Sequence, residues 1–397
     1  MTDHAHALVE AADRGGHAMA AAVECVGLHN TAATLINEIL FRAHLDELTT
    51  VGGETSVIIT LTHGGKEVSA LISVGPRGVA VSGTAAPTGL PPTRIVQDAC
   101  EMALALYGPR ERVSPGSREI RWPSPHVMVP RLVNGPAVPK ALHAVVQRVV
   151  QVLDREGAAP LEELAVRHGT DKWSFLHQYT QHYQRHFGPL RDHRMTVLEI
   201  GVGGYGDTET GGGSLYMWKE FFPRGLVYGL DIADKHVLDR PRVTTITADQ
   251  SDPDALREIA EKIGPFDIVI DDGSHMSPHV ITSFKTLFPY LKANGVYAVE
   301  DLHGSYWPHL FSGSERDLND PAFTVGFLKQ MVDGLNHEEF LDPGTRDAQP
   351  TDATVKGVHF YHNLAFIEKG TNTEGSPFGT VLREAPERLG TEGRPAE

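Results

Sequence analysis

Four short apolar runs fall in order along the second half of the chain: TVLEIGV (196–202), LVYGLDI (226–232), FDIVIDD (266–272) and GVYAVED (295–301). Each ends on an acidic residue or runs into a glycine-rich turn, and helical patterns such as PDALREIAEKIG (253–264) and HVITSFKTLFPYLKANG (279–295) lie between them. Strands apolar on both faces and alternating with helices predict a doubly wound parallel sheet. Such a sheet binds ligands beyond the carboxyl ends of its strands, so the acidic tips mark the expected site.

The rest of the chain reads differently. Residues 4–48 are Ala-rich with Leu35, Ile36, Ile39 and Leu40 at helical spacing. SVIITLTH (56–63), EVSALISV (67–74) and GVAVSG (78–83) follow with glycine turns between them, predicting an antiparallel meander, and a helix is expected from Pro92 to Tyr107. Residues 1–110 are therefore expected to form a smaller α+β auxiliary domain. A Pro-rich linker is expected over 111–139, the α/β domain over 140–370, and a polar, mobile tail over 371–397. The helix opening the α/β domain places Leu142, Val145, Val146, Val149, Val150 and Leu153 on one face, a core stripe. VHFYHNLAFIEKG (358–370) predicts a hairpin turning at His362 and Asn363.

Charge narrows the function. Lys and Arg number 35 against 51 Asp and Glu, a net charge of −16, and residues 1–140 account for only −2 of it. Nucleic-acid backbones and anionic membranes both select basic surfaces, so neither is an expected partner. The two cysteines, Cys25 and Cys100, support no disulfide framework or multi-cysteine zinc site. The opening residues lack a signal pattern, and no apolar run reaches a membrane span. A cytoplasmic protein is expected.

Several residues at the strand tips carry chemistry. Gly201, Gly203 and Gly206 have the G-x-G-x-x-G spacing, which lets backbone approach a nucleotide. Glu199 just before them would repel a pyrophosphate and attract an ammonium, and DTETGGGS (207–214) follows as a flexible stretch. Both features suit S-adenosylmethionine better than a dinucleotide. Asp231 is placed either to bond ribose hydroxyls or to cap the next segment. Asp249, Gln250, Ser251 and Asp252 could meet an adenine edge or form an N-cap before Pro253.

Asp271 and Asp272 end one strand and Glu300 and Asp301 the next, one strand–helix–strand unit apart. Carboxylates brought side by side repel unless a cation neutralises them, and oxygen donors select Mg²⁺, Mn²⁺ or Ca²⁺. Asp272, Glu300 and Asp301 are the expected ligands; the alternative is one acid on the ligand and the others capping helices. His275, three residues after Asp272, is the expected general base, with His279 and His303 as substitutes. A divalent cation lowers the pKa of a hydroxyl it coordinates, and two neighbouring hydroxyls chelate best, so a vicinal diol, on a sugar or a catechol, is the expected acceptor.

GTDKW (169–173), HYQRHFGPLRD (182–192), VLEIGVGGY (197–205), GGSLYMWKEFFP (212–223), GLDI (229–232), DQSDP (249–253), FDIVIDDGSH (266–275) and VEDLHGSYWP (299–308) together resemble a known family. It is that of the metal-dependent sugar O-methyltransferases of macrolide and polyketide glycoside biosynthesis, of the mycinamicin VI 2''-O-methyltransferase type. The resemblance implies a Rossmann-like class I methyltransferase domain and a metal on Asp272, Glu300 and Asp301, with His275 as base. It implies S-adenosylmethionine contacts at Thr170, Glu199, Gly201, Gly203, Gly204, Tyr205, Ser214, Asp231, Gln250 and Ser251, with Asp272 also at the cofactor. It further implies a tetramer and a glycosylated macrolide or polyketide acceptor carrying a deoxysugar, as in antibiotic biosynthesis. The competing readings are a nicotinamide-dependent sugar dehydrogenase or epimerase, and a non-catalytic binding protein stabilised by Ca²⁺.

Overall fold

The computed structural model describes residues 2–49, 54–83, 91–134, 137–173, 176–342 and 344–384, and the chain folds into two compact units. The first comprises residues 1–194 with 213–226 and 239–244; the second comprises 195–212, 227–238 and 245–397.

Three helices open the first unit: α1 (Thr2–Arg14), α2 (Gly16–Val26) and α3 (Leu28–Ala43). On α3, Thr31, Ala32, Leu35, Ile36 and Ile39 are buried, the one-sided stripe that the spacing predicts. Next come β1 (Thr55–His63), β2 (Lys66–Gly75) and β3 (Gly78–Ser82), antiparallel neighbours as expected.

The helix expected from Pro92 is corrected. Residues 93–98 form β4 (Thr93–Asp98), parallel to β1 with Val57 opposite Thr93 and Thr62 opposite Asp98. TRIVQD buries every second residue, a period-2 pattern hidden by the Ala-rich run behind it. Asp98 then caps α4 (Ala99–Tyr107), accepting from the amides of Cys100 and Glu101.

The segment read as a linker also carries structure. β5 (Glu119–Arg121) pairs antiparallel with β4, and α5 (Pro125–Asn134) follows. The unit continues with α6 (Ala137–Asp154), α7 (Leu161–His168) and α8 (Thr180–Phe187), and later takes in α9 (Gly213–Phe221). On α6, Leu142, Val145, Val146, Val149 and Leu153 are buried, and α6 packs on α3 and α4.

Charge explains why residues 213–226 and 239–244 belong here. Glu38 on α3 is fully buried among Arg42 (2.7 Å), Lys219 (3.4 Å) and Arg242, which donates to it as well. Burial alone would raise the Glu38 pKa, but the three cations hold it far below the usual range. Arg42 also bonds the Pro223 carbonyl at 2.8 Å, and Arg224 bonds those of Tyr107 and Asp192.

The second unit is built on a sheet. β6 (Thr196–Ile200), β7 (Leu226–Asp231) and β8 (Val243–Thr247) precede α10 (Pro253–Ile263) and β9 (Phe266–Asp271); α11 (Ser277–Leu287) and β10 (Leu291–Glu300) follow. After α12 (Pro308–Phe311) and α13 (Thr324–Leu335) come the hairpin strands β11 (Val355–Tyr361) and β12 (Leu364–Lys369), then α14 (Pro377–Glu384). The order is β11-β12-β10-β9-β6-β7-β8. β10, β9 and β6 run parallel, and β12 is antiparallel to β10. The chain reverses its direction of growth between β6 and β9, the switch point at which an α/β sheet opens a crevice.

All four expected strands are present, although β10 starts at Leu291, inside the predicted helix. The hairpin turns at His362 and Asn363, the latter with φ 64°. The tail is corrected in part, because α14 occupies 377–384, while residues 385–397 lie outside the described residues. Among the described residues no single helix is long and apolar enough to cross a membrane, and both cysteines are free.

Candidate active site

Register brings the acidic tips together. Ile200 stands opposite Asp271, and Asp271 opposite Val299, so one residue further the parallel ladder sets Asp272 beside Glu300. Alternation then sends Asp271 and Asp272 to opposite faces.

On one face, single carboxylate oxygens of Glu199, Asp272 and Glu300 lie within 4.8 Å of one another. Asp272 also belongs to a second group of the same tightness, with His275 and Asp301. The three expected metal ligands thus meet around Asp272. Glu199, expected at the cofactor's ammonium, is fully buried as the inner member of this cluster.

His275 and Asp301 both occupy left-handed backbone, at φ 56° and 53°, where a side chain is held only if its surroundings fix it. Here they do. His275 Nε2 lies 3.5 Å from Asp301 Oδ2, and Asn363 Nδ2 donates to Asp301 Oδ1 at 3.1 Å. Asn363 also bonds His303, through its Oδ1 to the amide (2.6 Å) and its Nδ2 to the ring Nδ1 (2.8 Å). Of the substitutes for His275, His303 is held in this way and lies against Trp307 with the rings tilted 31°, while His279 Nδ1 pairs with Ser274 Oγ at 2.9 Å. Asn363 has only a turn signal in the sequence, with nothing to mark its reach to Asp301.

On the other face Asp271 is buried and accepts from Gln250 Nε2 (2.6 Å), Tyr297 Oη (3.3 Å) and Ser283 Oγ. Burial pushes its carboxyl up to about 6 despite those donors. Gln250 uses the other end of its amide to accept from the Ser274 amide at 3.0 Å. The Gln250 side-chain amide thus ties β9 to the His275 turn. Asp249 Oδ1 accepts from the amide and hydroxyl of Ser251, and Asp252 caps α10, so the N-cap reading of this segment holds.

The glycine turn is tightly built. Gly201, at φ 90°, approaches so closely that a Cβ would overlap the Asp272 carbonyl; Gly204, at φ 73°, meets the Thr210 carbonyl in the same way. Asp231 accepts from the Val202 and Ala233 amides, each at 2.9 Å, so its capping role is present.

The flexibility expected after Gly206 is corrected by Lys235. This buried side chain donates to the carbonyls of Gly203 (2.7 Å), Thr210 (3.0 Å) and Asp207, drawing the whole 203–210 loop around one ammonium. Tyr205 stands 98% exposed at the loop tip. Thr170 and Ser214 belong to the first unit, where a Cβ on Gly213 would sit 3.3 Å from the Thr170 amide nitrogen.

The chain is similar to known proteins along most of its length. A family model described as MycE methyltransferase N-terminal matches residues 5–118. An 8-demethyl-8-alpha-L-rhamnosyl tetracenomycin-C 2'-O-methyltransferase of Streptomyces olivaceus is 45% identical over 372 residues, covering 92% of this chain and 94% of that protein. The mycinamicin VI 2''-O-methyltransferase of Micromonospora griseorubida is 49% identical over 215 residues, 54% of each chain. Among solved structures, the MycE methyltransferase in complex with Mg, SAH and mycinamycin VI aligns with a TM-score of 0.81 at 33% identity, covering 95% of this chain and 98% of that one.

Proposed function

The chain belongs to the sugar O-methyltransferases of macrolide and polyketide glycosides, and from that premise we propose that it methylates a deoxysugar hydroxyl flanked by a second hydroxyl on a glycosylated natural product. It is an S-adenosylmethionine- and Mg-dependent O-methyltransferase. The observation that carries the residue assignment is Asp272, shared by two groups of metal-type donors at the sheet's ligand edge.

The donors fit the cofactors. Oxygen atoms converging within 4.8 Å are the set a hard divalent cation selects, and neighbouring carboxylates need its charge. The close backbone turn at Gly201 and Gly204 leaves no side chain in the way of a nucleoside. When bound, the cation supplies charge that makes a neighbouring hydroxyl easier to deprotonate, and S-adenosylmethionine supplies an electrophilic methyl on a positively charged sulfur.

The chain's own residues do the rest. Asp272, Glu300 and Asp301 would hold the cation, with Glu199 beside Asp272 and Glu300. His275, whose Nε2 lies 3.5 Å from Asp301 Oδ2, would accept the hydroxyl proton. Backbone of Gly201, Gly203, Gly204 and Tyr205 seats the methyl donor, and Asp231 turns its remaining lone pairs to the ribose. Thr170, Ser214 and Ser251 are assigned to the cofactor on the family resemblance alone. Homo-oligomeric assembly, as a tetramer, and a cytoplasmic location complete the proposal.

The test is incubation with S-adenosylmethionine, Mg²⁺ and a rhamnosylated polyketide. One added methyl is expected, lost on chelation and in His275→Ala, with cofactor binding retained in both. Saturable binding of NAD⁺ in place of S-adenosylmethionine overturns the reading. Turnover that survives complete chelation removes the carboxylate cluster from the chemistry.

A further inference from the structure

In the first unit, well separated in sequence from the acidic strand tips, three ligand-type side chains converge. His63 ends β1, Asp98 ends β4, and Cys100 is the second residue of α4. Parallel pairing of Thr62 with Asp98 puts His63 next to the start of α4. Its Nδ1 lies 3.6 Å from Cys100 Sγ and 3.8 Å from Asp98 Oδ2, and one donor atom from each of the three residues falls within 4.8 Å of the others. All three are half-buried.

The geometry distinguishes two chemistries. In a nucleophile–base–acid relay, the imidazole turns one nitrogen to the thiol and the other to the carboxylate. Here the same nitrogen faces both, so no relay is built. Convergence of thiol, imidazole and carboxylate on one point is what a cation requires. A tetrahedral ion with Zn–S of about 2.3 Å and Zn–N of about 2.0–2.1 Å holds its sulfur and nitrogen about 3.5–3.6 Å apart, as Cys100 and His63 already stand.

Asp98 has a local reason to point inward. Asp98 Oδ1 is engaged by the Cys100 and Glu101 amides, which leaves Oδ2 turned to His63. Burial, then Asp98 and Glu24, push the Cys100 thiol up to about 12.

We propose that His63, Asp98 and Cys100 form a binding site for a thiophilic divalent cation, Zn²⁺ by its mixture of sulfur, nitrogen and oxygen donors, with water in the fourth position. On binding, Cys100 releases its proton to solvent and the ion staples the end of β1 to the start of α4. This site is separate from the Mg-dependent chemistry and does not rest on it.

Cys25, which is exposed, provides an internal control. Full-length protein in excess Mg²⁺ is alkylated with iodoacetamide before and after stoichiometric Zn²⁺, and each cysteine is followed by peptide mass spectrometry. Zn²⁺ is expected to slow Cys100 labelling roughly ten-fold or more and to leave Cys25 unchanged. His63→Gln and Asp98→Asn, the second keeping the helix cap, should each raise the Zn²⁺ needed for half-protection by roughly ten-fold. Unchanged Cys100 labelling, or protection undiminished in both variants, overturns the proposal. Should a variant fail to fold, Co²⁺ binding to Cys25→Ser protein decides: a thiolate-to-cobalt charge-transfer band supports the site, and its absence overturns it.

Discussion

Lys235 donates to the Gly203 carbonyl at 2.7 Å, and through that one contact a residue beyond β7 controls the shape of the turn that follows β6. The same ammonium takes the carbonyls of Asp207 and Thr210, so its removal strands three acceptors at once. Lys235→Met is expected to cost about 1–3 kcal/mol of stability, the range for leaving a buried acceptor without its donor. Amides of residues 203–210 should exchange with deuterium faster, and S-adenosylmethionine should bind more weakly. Unchanged exchange there would show that the loop holds its shape without the lysine.

Asp272→Asn removes the carboxylate common to both donor groups. In the unaltered protein, Mg²⁺ at a hundred times its Kd should add about 2.7 kcal/mol of stability. That gain is expected to vanish in the variant. Melting without Mg²⁺ should be unchanged or higher, because one charge leaves a repulsive cluster. Calorimetry with and without Mg²⁺ separates the two effects.

Asn363→Gly keeps the left-handed backbone at φ 64° but deletes the amide that bonds Asp301 and His303. Loss of such an outer hydrogen bond typically costs about 10–100-fold in metal affinity or rate. The Mg²⁺ concentration for half-maximal activity should rise while the KM for S-adenosylmethionine stays put. A change confined to the cofactor KM would place Asn363 elsewhere in the mechanism.

Glu220 in the first unit is bonded by His44 (2.9 Å), His168 (2.7 Å) and Arg167 (3.0 Å). Burial opposes ionisation, but the histidine bonds and charges outweigh it and bring the carboxyl from the usual 4.5 to about 2. A depressed carboxylate stabilises the fold above its unfolded pKa, and this contribution fades as pH falls through the folded one. Its upper bound is about 3 kcal/mol. Glu220→Gln should therefore be less stable than the parent at pH 6, with the gap closing as pH drops from about 4.5 to about 2. A gap independent of pH would refute the ionic origin.

The sheet and its acidic tips are legible in the sequence because both depend on local pattern. Apolar runs mark strands, and the spacing of Asp272 from Glu300 spans one strand–helix–strand unit. β4 reads as helix because six alternating residues precede an Ala-rich run that dominates any longer window. The partners of Lys235, Gln250 and Asn363 lie about 20 to 60 residues away and leave no periodic trace. Composition likewise suggests a boundary near the Pro-rich stretch, but the Glu38–Arg242 ion pair joins residues from both sides of it.

The closeness of Gly201 to the Asp272 carbonyl has a consequence for anyone redesigning this catalyst. Backbone meets backbone there, with no side chain between to absorb an adjustment. A library that varies the first glycine to admit bulkier alkyl donors will shift the carboxylate on which catalysis is proposed to depend, trading donor scope against turnover in the same clone. Tyr205, solvent-facing at the loop tip, is the better place to begin.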